Sequence, residues 1–223
     1  MFDTISEDYD GLNRVISFGI DVKWRKKVVK LIKDKNPDSV LDIATGTGDL
    51  AINIAKNTTA NKIIGLDISQ GMLDVGKEKI KQHALETKID MVLGDSENLP
   101  FDDNTFDAIT VAFGIRNFET LENGLKEILR VLKPNGIFVI LETSVPTKPF
   151  FKFGYNLYTK NVLPLIGKVF SKDRVAYKYL CESASIFPYG ETLNNILREI
   201  GFINVEDFPQ TLGVATIYTS SKK

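Results

Sequence analysis

The sequence is poor in the residues that build redox and metal frameworks. Of its 223 residues one is cysteine, Cys181, and one is histidine, His83. A lone cysteine excludes an internal disulfide framework, and a lone histidine leaves no Cys/His cluster to hold a metal. Neither sign of charge is in excess. Lys and Arg number 28 against 29 Asp and Glu, a net charge of −1, which argues against the nucleic-acid backbone as the principal ligand. No apolar run approaches the roughly 18 residues that a membrane-crossing helix requires. The start, Met1-Phe2-Asp3-Thr4, lacks the basic cluster and apolar stretch of a secretory signal, so the residues that follow are expected in the folded protein and a cytoplasmic location is expected.

What is present is core material. At 43% hydrophobic and 26% charged residues, the chain has enough apolar side chains for one large or two small domains. Between Val40 and Thr143 short β-type runs alternate with helical patterns, which predicts an α/β fold with a parallel sheet covered by helices on both faces. Strands are predicted over 39–44, 62–67, 89–93, 106–113 and 136–142. Leu121, Leu125, Ile128, Leu129 and Leu132 recur at helical spacing, and Lys133-Pro134-Asn135-Gly136 is expected to stop that helix before the next strand.

The two flanking regions read differently. In residues 1–35, Trp24, Val28, Leu31 and Ile32 form one apolar stripe, while Lys23, Lys26, Lys27, Lys30 and Lys33 fill the rest of the helix. That pattern predicts a helix packed on the sheet with a solvated lysine face, or alternatively a membrane-surface patch. Residues 145–188, rich in proline and aromatics, read as an inserted helical cap. A helix over 193–200, a Gly201 stop and two closing strands near 202–208 and 213–219 follow, and the short turn between those strands makes them antiparallel.

The chemistry concentrates where strand one ends. Val40-Leu41-Asp42-Ile43-Ala44 runs into Thr45-Gly46-Thr47-Gly48-Asp49-Leu50-Ala51. Gly46 and Gly48 remove side chains that would keep a ligand from the backbone, and the following helix offers unpaired N–H groups. The loop also satisfies a dinucleotide fingerprint with Asp67 about twenty residues on, so a nicotinamide dinucleotide stands as an alternative ligand. Asp42 and Asp49 beside the loop are expected to repel a pyrophosphate and to suit a cationic ligand such as S-adenosylmethionine. Asp67 and its neighbour Ile68 close strand two, and Asp95-Ser96 follow strand three. Singly, each aspartate reads as a cap or turn residue. An acid at each of three successive strand tips, beside a glycine loop, is the pattern of an adenosyl site.

With these residues in place the chain resembles the class I S-adenosylmethionine-dependent methyltransferases and, more narrowly, the menaquinone and ubiquinone biosynthesis C-methyltransferases. Tyr9-Asp10-Gly11-Leu12-Asn13, Ile16-Ser17 and Trp24 are similar to that family's amino-terminal signature, with Asp21 where a histidine is usual and Leu12 where a methionine is. Phe113-Gly114-Ile115-Arg116-Asn117 matches a second segment. Arg130 to Gly136 leading to Glu142-Thr143-Ser144 matches a third, with Asn135 replacing a glycine, and Ala112 replaces a frequent serine. The resemblance implies a Rossmann-like sheet of seven strands, the last antiparallel, with amino-terminal helices and the inserted cap in one methyltransferase domain over 1–223. It also implies S-adenosylmethionine as cofactor, bound by Thr47, Asp67, Asp95 and Ser96, and Asp42, Gly46, Gly48 and Ile68 of the same strand tips are expected to join them.

The acceptor it implies is a prenylated quinol, either demethylmenaquinol or the ubiquinone precursor, methylated at a ring carbon. Such a carbon needs electron density from a neighbouring hydroxyl. Arg116 is the expected charge partner, with Asn117 beside it, against a reading of Arg116 as a surface ion pair. Tyr9, Asp10, Asp21 and Tyr177 are candidates for proton removal, and His83 reads as a solvated surface residue. The aromatic cap suits a prenyl tail or plain core packing, and transient peripheral membrane contact is expected. A methyltransferase of another small acceptor and a non-catalytic adenosyl-binding scaffold stand as rivals.

Overall fold

A computed structural model describes Ser6, residues 9–159, Ser183 and residues 186–223. Its elements run α1 (Tyr9–Ile16), α2 (Asp21–Asp34), β1 (Ser39–Ile43), α3 (Asp49–Asn57), β2 (Lys62–Asp67), α4 (Gln70–Gln82), β3 (Ile89–Leu93) and β4 (Phe106–Ala112). They continue with α5 (Leu121–Val131), β5 (Leu132–Thr143), α6 (Pro149–Leu157), α7 (Glu191–Ile200), β6 (Ile203–Gln210) and β7 (Ala215–Ser221). The strands form one sheet in the order β3-β2-β1-β4-β5-β7-β6. The first five pair in parallel, and β7 runs antiparallel to both its neighbours, as the short closing turn predicts.

Burial on both faces explains why the central strands are almost wholly apolar. Every residue of β1 after Ser39 is buried. On one face Val28 and Ile32 of α2 and Leu50 and Ile54 of α3 pack with Val40, Ile63 and Val139. On the other, Leu125 and Ile128 of α5 and Leu193 and Leu197 of α7 pack with Leu41, Ile109 and Phe138. Lys23, Lys26, Lys30 and Lys33 of α2 are exposed, and Trp24 Nε1 donates to Thr211 Oγ1 at 2.9 Å. The amphipathic stripe thus fixes α2 to the sheet and its closing turn, with the lysines solvated.

Several boundaries differ from the sequence reading. The helix α5 ends at Val131 and β5 begins at once at Leu132, not at 136. Pro134 therefore does not separate helix from strand. It sits in a bulge where the pairing jumps from Phe106↔Leu132 to Ala108↔Ile137, a strand position that tolerates a missing N–H. Strand β4 stops at Ala112, because Phe113 turns to φ 60. The strands β6 and β7 each lie one or two residues later than expected, joined by a 3-10 turn over Thr211–Gly213. Of the expected cap, α6 is described; Tyr177 and residues 160–182 lie outside the described residues.

Candidate active site

Strand order reverses at β1, with β2 and β3 laid down on one side and β4 and β5 on the other. A crevice opens beyond the carboxyl ends at such a switch point. Here it is a cleft of about 250 Å³. Gly46 enters it from β1, Asp67 and Ile68 from β2, Asp95 and Ser96 from β3, Ala112 and Asn117 from β4, and Tyr9 from α1. A smaller cavity adjoins, sharing Tyr9, Gly46 and Ala112 with the first and adding Asp42, Thr47 and Asp49.

The loop after β1 is held by its neighbours. Ala44, Gly46 and Gly48 all have positive φ, at 51, 58 and 78°, and Gly48 caps α3 with no side chain. Glycine adopts such a φ freely, but at Ala44 it persists only where surroundings fix it. Asp67 Oδ2 accepts the Gly46 N–H at 2.8 Å and its Oδ1 the Ser69 N–H at 2.9 Å, so one carboxylate sets both the loop and the start of α4. Asp42 accepts Thr45 Oγ1 and Thr110 Oγ1, each at 2.6 Å. Burial pushes its carboxyl up to about 6, against the lowering effect of the two hydroxyls and of Arg25. Asp95 is exposed at the rim, its Oδ1 accepting the Glu97 N–H at 2.9 Å. Gly48 touches neither cavity, so its part is to shape the turn.

The tip of β4 is clamped from α2. The Phe113 ring lies 6.2 Å from Trp24 and 5.4 Å from the guanidinium carbon of Arg25. With Phe113 so held, Gly114 abuts β1: a Cβ there would stand 2.3 Å from the Ala44 Cβ. No other residue fits that approach. The next turn, Ile115–Asn117, carries Asn117 into the cleft. Arg116 is not a surface ion pair. Its Nη1 donates to Glu142 Oε1 at 2.6 Å, with the two side chains only 6% and 1% exposed, and it does not line either cavity. Its Nε and Glu142 Oε2 are buried without a hydrogen-bond partner.

Three further expectations change. Asp21 is buried and bound by Arg14, Arg25 and Ser17, so it does not reach the cleft. Asp10 accepts the Thr47 hydroxyl at 2.7 Å and the Lys79 ammonium at 2.7 Å, which also commits the Thr47 side chain. Asp49 is no free charge, because Lys79 and Arg14 both pair with it. Burial opposes its ionisation, but the Lys79 hydrogen bond and charge, with Arg25 and Arg14, outweigh that and hold the carboxyl below the usual range. His83 is exposed at the end of α4. Glu142 went unassigned in sequence, although its place at the tip of β5 was a signal. Lys79 and Thr110 carried none, because their partners lie in other elements.

The model of the ubiE/COQ5 methyltransferase family matches residues 1–222. A demethylmenaquinone methyltransferase of Bacteroides fragilis is 46% identical over 222 residues, covering 100% of this chain and 91% of that protein. The ubiquinone/menaquinone biosynthesis C-methyltransferase UbiE of Geotalea daltonii is 47% identical over 223 residues, covering 100% of this chain and 94% of that protein. Among solved structures, a Methanococcus maripaludis protein assigned to the S-adenosylmethionine-dependent methyltransferases superposes with a TM-score of 0.70 at 22% identity, covering 100% of this chain and 94% of that one.

Proposed function

The chain belongs to the ubiE/COQ5 methyltransferase family, and from that premise we propose that it moves the methyl group of S-adenosylmethionine to a ring carbon of demethylmenaquinol. Residues 1–223 act in this reading as one methyltransferase domain. The observation that carries it is the convergence of the glycine loop, Asp67 and Asp95 on one cleft across the tips of β1, β2 and β3.

These residues fit an adenosyl cation. Asp67, whose carboxylate closes β2 at the edge of the cleft, would accept the ribose hydroxyls. Asp95 and Ser96 meet the adenine edge, and Ile68, 71% exposed at the mouth, covers a ring face. Gly46 and Thr47 border the smaller cavity and would hold the methionine end, with Asp42 behind the loop. Gly48 serves by shaping that loop. The cofactor supplies an electrophilic methyl on a sulfonium.

On the acceptor side Asn117 touches the substrate and orients its hydroxyl. Arg116 shares its charge with Glu142 and lies outside both cavities, so it acts from behind Asn117 as a positioning residue and does not ionise that hydroxyl. Of the candidates for proton removal, Tyr9 lines the larger cleft, whereas Asp10 and Asp21 are committed to cations. The decisive experiment supplies labelled S-adenosylmethionine with reduced demethylmenaquinone and, separately, the reduced ubiquinone precursor. Label in the naphthoquinol is expected. Label in the benzoquinol alone would move the assignment to ubiquinone, and label in neither, with cofactor bound, would point to another acceptor.

A prenylated acceptor is drawn from a bilayer, and we place the enzyme at its surface during turnover. Among the described residues no helix is long and apolar enough to cross a membrane. Phe150 and Phe153 of α6 are 83% and 72% exposed, and Phe18, which packs on Tyr158 just after α6, is 71% exposed. Co-sedimentation with anionic vesicles is expected, and recovery at background level would overturn that placement.

A further inference from the structure

Lys79 lies on α4, outside the signature segments that point to the methyltransferase family. Its neighbours Lys77 and Lys81 are solvated, but the Lys79 side chain is only 22% exposed. Its ammonium donates to Asp10 Oδ2 at 2.7 Å, to Thr47 Oγ1 at 3.0 Å and to Asp49 Oδ1. Thr47 in turn donates to Asp10 Oδ1 at 2.7 Å. One turn further along α1, Arg14 Nη2 donates to Asp49 Oδ2 at 2.9 Å. Asp10 and Arg14 are four residues apart and share a helix face, so α1 is fastened at two points, both of them to the start of α3.

This fastening bears on the cleft through Tyr9, the residue before Asp10. The Tyr9 Cε1 lies 3.9 Å from the position a Cβ on Gly46 would take, and Tyr9 borders both cavities. Take away the ammonium, and Asp10 faces Asp49 across Thr47 with Arg14 and the more remote Arg25 left to offset two acids. Like charges held at this separation favour the parting of α1 from α3.

We infer that Lys79 is a positioning residue for cofactor binding, one whose ammonium locks α1 onto the glycine-loop helix and so holds Tyr9 across the cleft. The inference rests on the cofactor reading above. It is tested on the full chain by hydrogen exchange and by S-adenosylmethionine titration of Lys79→Met, Lys79→Arg and Asp10→Asn. Lys79→Met is expected to speed exchange of residues 9–16 roughly 10-fold or more while leaving β4 and β5 unchanged, and to raise the cofactor Kd roughly 10-fold. Lys79→Arg restores affinity to within about 3-fold, because it keeps the charge that the lock needs. Asp10→Asn gives the same loosening from the other side, and combining it with Lys79→Met adds little further. Unchanged exchange of α1 in both single variants would overturn the lock. So would unchanged cofactor affinity once α1 is loose. A wild-type chain that binds no S-adenosylmethionine, yet loosens α1 on substitution, would sink the cofactor reading and leave the lock standing.

Discussion

At the tips of β1, β2 and β3 the acids accept from hydroxyls and backbone N–H groups at the border of the cleft, whereas at the tips of β4 and β5 an acid meets a cation in the interior. Asp42 takes two threonine hydroxyls, Asp67 two backbone N–H groups and Asp95 one. Arg116 and Glu142 neutralise one another in near-complete burial. The first half of the edge therefore turns acids towards the cleft, and the second half pairs its acid with a cation out of reach of the cleft. A sulfonium is drawn to the first. A neutral aromatic ring suits the second, where the buried Arg116–Glu142 pair leaves no net charge at the edge.

The largest effect should come from breaking the charged half. Glu142→Gln leaves the buried guanidinium without its countercharge and is expected to lower stability by about 3 to 5 kcal/mol, read by chemical denaturation. A loss under about 1 kcal/mol would mean that Arg116 turns out to solvent once freed. Next, Asp67→Ala removes the acceptor of two N–H groups and the proposed ribose contact. It should weaken S-adenosylmethionine binding roughly 100-fold, measured by calorimetry, with methyl transfer falling in step at low cofactor.

Asp42→Asn sharpens the contrast through pH. The folded carboxyl takes its proton near pH 6, against the ordinary 3.8, so folding takes up a proton between those values. Stability from this group accordingly rises as pH falls from 7 towards 4, and it is lowest where the buried carboxyl must be charged. Wild type should gain on Asp42→Asn by up to about 3 kcal/mol across that interval, followed by denaturation at several pH values. A pH-independent difference between the two would contradict the buried titration. The smallest effect is expected from Ala112→Ser, which restores a hydroxyl at the border of both cavities. It should shift cofactor affinity by no more than about 5-fold.

The same two halves differ in how far the sequence reveals them. The cofactor half is local: Gly46, Gly48, Asp67 and Asp95 sit at fixed offsets from strands whose apolar runs are plain, so periodicity and turn chemistry expose both the strand and its tip. The closing antiparallel strands were legible for the same reason. The acceptor half depends on partners far apart in the chain. Arg116 and Glu142 are 26 residues apart, and nothing in either segment says that they meet. Asp21 and Asp49 were misread for a like cause. Each looks like an available acid until Arg14, Arg25 or Lys79 is brought to it by packing of α1, α2 and α4. Pro134 shows the limit of a breaker signal, since it marks an irregularity without saying whether the chain stops there or bulges.

The most direct measurement compares cofactor affinity with single-turnover methyl transfer in Arg116→Lys, which keeps the charge opposite Glu142 but loses the guanidinium fork. If binding belongs to the β1–β3 half and chemistry to the other, the Kd for S-adenosylmethionine stays within about 3-fold of wild type while transfer to reduced demethylmenaquinone falls roughly 100-fold. An affinity that drops as far as the rate, or a rate that stays at the wild-type value, would contradict that division.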